Sequence, residues 1–206
     1  MSPLETPWMA RAWKNWHRPW ATTHAGWLDT SHAEIAADAT QELTLRLHYL
    51  SWCEHYALAP SLNDFDDTPW WRLFSLTAVS FEQAARRVGA ALMYAATPRS
   101  RLLRLAHDDL ETMRWALERA HFVPREVAAA LQSAKLGESS MQHAAVSLNW
   151  CLQASTPALW DRVQRRFAPN EALPSATRWD PGPMVSNWLA AVWSRSVLLA
   201  INEDES

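Results

Sequence analysis

Glycine is scarce in this chain, with four residues in 206, and that scarcity excludes a good deal. A loop that cradles a phosphate needs several glycines in close order, and no Walker A, Rossmann or GxSxG pattern is present. Runs in which Val, Ile and Thr alternate with polar residues between turns are also missing, which points to an all-α fold. Cysteine occurs twice, as Cys53 and Cys151, too few for a disulfide framework and without CxxC spacing. Both lie in helical patterns beside a tryptophan and are expected as buried free thiols in a reducing compartment. The first residues hold no continuous apolar run, so a secretory leader is not expected. Neither sign of charge dominates: the net charge is −3 with 20% charged residues, and bases mixed among acids make a poor nucleic-acid footprint. No HExxH or HxxxH spacing exists. His48 and His55 share a helical face but stand about 10 Å apart along it, too far for one metal ion.

What is present is helical period. Thr30 or Ser31 is placed to cap a long helix with a stripe of Ile35, Ala39, Leu43, Leu47, Leu50 and Ala57, ending at Ala59-Pro60. Pro69 opens a short helix carrying Trp70, Trp71, Leu73, Phe74 and Leu76. Ser80 and Gln83 have capping-box spacing before Phe81, Ala84, Ala85, Val88, Leu92 and Ala95. Gly89 interrupts that helix at about 1 kcal/mol relative to alanine, which predicts a close neighbouring backbone. Further starts are read at Thr97-Pro98, Asp108, Pro124, Ser139 or Ser140, Thr156-Pro157 and Pro183, with Gly137 as a C-terminal cap. Met184 to Ile201 is the longest apolar segment, but Arg195 within it would cost about 2.5–3.5 kcal/mol in a bilayer, so a buried helix is expected rather than a transmembrane one. Asn202 to Ser206 reads as a frayed acidic tail. The expected architecture is a single compact bundle of eight or nine helices, with a Trp- and Pro-rich segment at 1–28 ahead of a helical domain at 29–206.

The stretch from Ser80 to Val123 resembles the YscK/SctK family of type III secretion systems, including its Hrp-type counterparts. The resemblance rests on Arg87-Val88-Gly89-Ala90-Ala91-Leu92, then a short basic link with leucines from Pro98 to Leu105, then leucine alternating with charge from Asp109 to His121. Trp160-Asp161-Arg162 and the Pro-rich loop before the last helix fit more loosely. About a quarter of the chain is covered. The resemblance implies a cytoplasmic, non-catalytic accessory part of the sorting platform at the inner-membrane face. Such a part links the secretion ring's cytoplasmic domain to the pod-forming platform protein. Its membrane association would be peripheral, through partners, and it would need no cofactor. No invariant chemical residue of the family maps onto this chain.

Two features are candidates for partner contact. There are fourteen tryptophans, most of them expected in the core. Those of the N-terminal segment, Trp8 to Trp27, are hard to place there because prolines break its periodicity, so Trp8, Trp13, Trp16 and Trp20 above all are read as half-exposed anchors. With Arg11, Lys14 and Arg18 the same segment could lie weakly in a membrane interface. The second feature is charge segregation: residues 29–67 carry eight acids against one base, and residues 68–137 carry ten bases against six acids. Within the acidic span, Asp64, Asp66 and Asp67 form a loop whose spacing does not suit calcium, so they are read as a partner-facing cluster. Asp108, Asp109 and Glu111 sit where a helix start needs carboxylates, which explains them without catalysis. The competing reading is a helical ligand- or lipid-binding protein whose tryptophans line an apolar cavity.

Overall fold

Hydroxyl and proline caps begin most of the helices in the computed structural model, which describes residues 6–28, 42–58, 60, 70–96, 123–133, 136, 139–171 and 182–204. Among these residues there are eight α-helices and no strand, so the all-α class is established. They are α1 (Pro7–His17), α2 (Glu42–His55), α3 (Trp71–Ser75), α4 (Ala78–Ala96), α5 (Arg125–Ser133), α6 (Ser140–Ser155), α7 (Pro157–Val163) and α8 (Gly182–Asp204). The starts read at Thr97 and Asp108, the Gly137 cap and the cap at Thr30 or Ser31 lie outside the described residues.

Helix α4 is the axis of the fold, packed against α6, α8 and α5. Phe81, Ala84, Ala85, Val88 and Leu92 are buried as their spacing predicts, and Ala90, Ala91 and Met93 are buried too. An alanine-rich helix can be enclosed on nearly all sides because its neighbours approach closely. Gly89 marks the closest approach. A Cβ built there would stand 1.8 Å from the Ser140 carbonyl oxygen and 3.1 Å from the Ala144 nitrogen, so α4 crosses the first turn of α6 backbone to backbone. Buried hydroxyls and an indole stitch the three long helices together. Trp193 Nε1 donates to Ser147 Oγ at 3.0 Å, and Ser196 Oγ donates to the Ala84 carbonyl at 3.0 Å.

Two expectations about helix ends are corrected. Helix α4 begins three residues before the predicted box: Thr77 is the cap, its Oγ1 accepting from the Ser80 N–H at 3.1 Å. Ser80 is therefore inside the first turn, where its hydroxyl meets Thr77 Oγ1 and Asp204 Oδ1 instead of serving as the cap. The acidic end of the chain is not frayed as far as Asp204. Glu203 takes two bonds from Arg87 Nη2, at 2.7 and 2.9 Å, and Asp204 accepts from Ser80. The last turn of α8 is thus tied to the first turns of α4. Its acids are held in place by a buried arginine and serine that are distant in sequence.

Helix α8 is the described helix long and apolar enough to cross a membrane by length and composition. Val185, Leu189, Trp193, Val197, Ala200 and Ile201 face the core, while Met184 and Leu198 face outward. Cys53 and Cys151 are buried and free, as their context implies, and burial pushes the Cys151 thiol up to about 12.

Candidate functional site

Three arginines near the end of α7 determine what becomes of the N-terminal segment. Arg162 and Arg166 stand three and seven residues after the buried Leu159, on the apolar stripe, so both guanidinium groups are carried into the core. Such groups are tolerated there when most of their donors find a carbonyl, hydroxyl or ring; Arg166 Nε is the buried donor left without a hydrogen bond. Arg166 donates to the carbonyls of Leu73, Leu76 and Thr77, closing the C-terminal end of α3, and lies 4.2 Å over the Phe81 ring. Burial pushes its pKa down to about 9, which still leaves it charged at neutral pH. Arg162 lies 3.7 Å over the Trp16 ring and donates to Tyr49 Oη at 2.8 Å and Cys53 Sγ at 3.5 Å. Arg165 covers Tyr56 at 4.4 Å. Burial lowers its pKa as well.

The N-terminal segment is gathered by these contacts. Trp16 packs on Trp71 and Phe74, each at 5.1 Å, and Asn15 Nδ2 donates to the Phe74 carbonyl at 2.7 Å. Trp20 meets Trp52 edge-on at 6.2 Å. Further along, Trp27 Nε1 donates to the Phe167 carbonyl at 2.8 Å, and Tyr56 donates to the Trp27 carbonyl. Trp16 and Trp20, at 2% and 8% exposure, are core residues. The expectation that they are half-exposed anchors is therefore corrected: proline kinks did not keep them out, because buried arginines and aromatics across the chain supply the faces that local periodicity did not reveal. Trp8 is half-buried near Arg72, at 5.3 Å. Trp13 alone of the four is exposed, at 47%. Asp64, Asp66 and Asp67 lie outside the described residues.

A second correction concerns α2. The stripe read as its core face, Leu43, Leu47 and Leu50, is 70%, 59% and 44% exposed. The buried face is instead Tyr49, Trp52 and Cys53, because aromatic rings cover more area per side chain and Arg162 reaches their polar ends. The helix ends at a left-handed Ala57 (φ 51°), with Leu58 N–H bonded to the Cys53 carbonyl and Ala57 N–H to that of Glu54. This is a Schellman ending without its usual glycine.

Chemically, the Tyr49–Cys53–Arg162 junction is a packing device. The Tyr49 hydroxyl donates to the Pro60 carbonyl at 2.5 Å, and burial raises its pKa to about 12. Beside it His17 packs edge-on to Tyr49, its pKa lowered by burial and by Arg162. A cleft of about 20 Å³ bordered by Asn15, Trp16, Thr22, Thr23, Arg162 and Arg166 has room for one water. Among the described residues, no three of His, Cys, Asp and Glu converge on a metal position. What remains as a candidate for function is surface: Trp13 with the outer leucines of α2. The inward turn of these arginines was not read from the sequence, although the placement of Arg162 and Arg166 on the apolar stripe of Leu159 was its signal. No known family, curated protein or solved structure matches the chain.

Proposed function

We propose that this chain is a non-catalytic adaptor of the YscK/SctK kind. In this reading it is cytoplasmic, sits at the inner-membrane face of a type III secretion apparatus and joins the ring's cytoplasmic domain to the pod-forming platform protein. It needs no cofactor, binds no nucleic acid and reaches the membrane through its partners. The observation that carries the reading is the resemblance at Arg87 to Leu92. In the fold those residues serve architecture: Arg87 holds the end of α8 and Gly89 admits the backbone of α6. A signature of that sort suits a scaffold, whose specificity lies in how surfaces are presented rather than in reacting groups. The buried arginines and the outward apolar side chains of α1 and α2 agree with it.

Co-purification tests the proposal directly. The full chain, expressed with each candidate ring and pod protein, should retain both, and deleting its gene should abolish secretion while leaving the ring in place. Retention of neither protein, or normal secretion by the deletion strain, would overturn it.

A further inference from the structure

Helix α2 carries apolar side chains on two faces, and among the described residues only the face of Tyr49, Trp52 and Cys53 is buried. The outer face carries Leu43, Leu47 and Leu50, spaced four and then three residues apart. That is the seam spacing of a two-stranded coiled coil, in which each leucine drops between residues of a facing helix. The next seam position, seven residues after Leu47, is the exposed Glu54. Arg46 stands exposed at the seam's edge, and Lys14 is exposed on neighbouring α1; neither pairs with a carboxylate among the described residues. Trp13 is exposed on the neighbouring α1. Its ring meets His17 at 4.6 Å, and His17 meets Tyr49, the residue before Leu50, at 5.0 Å.

We infer that this face docks one amphipathic α-helix of a partner protein, with leucine-like residues along its seam, carboxylates opposite Arg46 and Lys14, and a base opposite Glu54. Two arguments select this occupant over a second copy of the chain. Three leucines and a tryptophan, exposed at 70%, 59%, 44% and 47%, offer on the order of 400 Å², short of the roughly 800 Å² per partner of a stable dimer but of a size to seat one helix. Antiparallel pairing of two copies would also set Arg46 against its own equivalent, a like-charge contact that coiled coils avoid at seam edges. A lipid surface fits less well because Glu54, lying on the seam itself, would face anionic headgroups. The inference does not depend on the secretion reading, since any helical partner with this pattern would satisfy it.

Leu47→Cys in the full chain supplies an exposed thiol, the two native cysteines being buried, which can carry an environment-sensitive fluorophore. The probe is a synthetic leucine-seam peptide with glutamate flanks and one lysine on the seam, compared with the same peptide carrying lysine flanks. The labelled chain should shift to the blue with the glutamate peptide and bind it about tenfold tighter than the lysine peptide. That preference should shrink in high salt, and Leu43→Ser with Leu50→Ser should abolish binding at unchanged thermal stability. Equal affinity for both peptides, or for neither, overturns the inference. So does dimerisation of the free chain in sedimentation, binding to phosphatidylglycerol vesicles in place of the peptide, or a thiol at position 47 that reacts slowly because the chain's own residues cover it.

Discussion

Single residues in this protein are governed by how close another backbone lies. At Gly89 the nearest obstacle is the Ser140 carbonyl, 1.8 Å from where a Cβ would sit, and a helix backbone cannot step aside as a side chain can. Gly89→Ala should therefore destabilise the fold by about 1–3 kcal/mol, read as a lower denaturation midpoint; an unchanged midpoint would mean that α4 and α6 separate freely. Ala57 is the converse case, a side chain where the backbone wants none. Its φ of 51° is a region L-residues enter at a cost, so Ala57→Gly should stabilise the protein by about 0.5–1 kcal/mol despite glycine's looser unfolded state. His143 couples stability to pH. It is buried in the first turn of α6, its Nδ1 donating to the Ser139 carbonyl at 2.9 Å, and burial lowers its pKa from 6.5. With the folded value depressed, the unfolded chain takes up the proton first. Stability is then full above pH 6.5 and declines as pH falls from there through the folded pKa. His17 is shifted the same way and adds to the slope. Melting temperatures between about pH 7.5 and 5 should fall for the native chain and less steeply for His143→Gln.

At the scale of elements, the short α7 and the turn after it matter more than their length implies. Arg162 reaches α1 through Trp16 and α2 through Tyr49 and Cys53, joining three elements with one side chain. Arg162→Met keeps much of the volume but loses the stacking and the hydrogen bonds. It should cost about 2 kcal/mol, and it should speed trypsin cleavage after Lys14, within α1 and two residues before Trp16. A drop in stability without faster cleavage at that site would mean that Trp16 stays docked without its arginine. The helices themselves were legible where a cap and a period coincided: α5, α6 and α7 begin where Pro124, Ser139 and Thr156-Pro157 place them. The start of α4 was misplaced because Thr77 and Ser80 are both hydroxyl residues three apart, and only the chain's path into the turn shows which one precedes the helix.

For the whole molecule, the prediction that reaches furthest is electrostatic. If the acidic span is partner-facing, reversing Asp64, Asp66 and Asp67 to lysine should weaken one complex and leave thermal stability within about 0.5 kcal/mol. The effect should fade near 1 M salt, where screening reaches only roughly 3 Å; wild-type binding of the triple variant to every platform partner at low salt would discard it. The sequence by itself determined the all-α class, the capped helix starts, the buried thiols and the close crossing at Gly89. Each of these depends on residues near one another in the chain or on a single side chain's absence. Tertiary structure alone decided which face of α2 is inside and which tryptophans are core. Leu43, Leu47 and Leu50 have as good a period as Tyr49, Trp52 and Tyr56, and the choice between them falls to partners more than a hundred residues away, Arg162 and Arg165. Periodicity states that a helix has an apolar face, but where two faces compete, the larger aromatic area and the distant cations settle which one is buried.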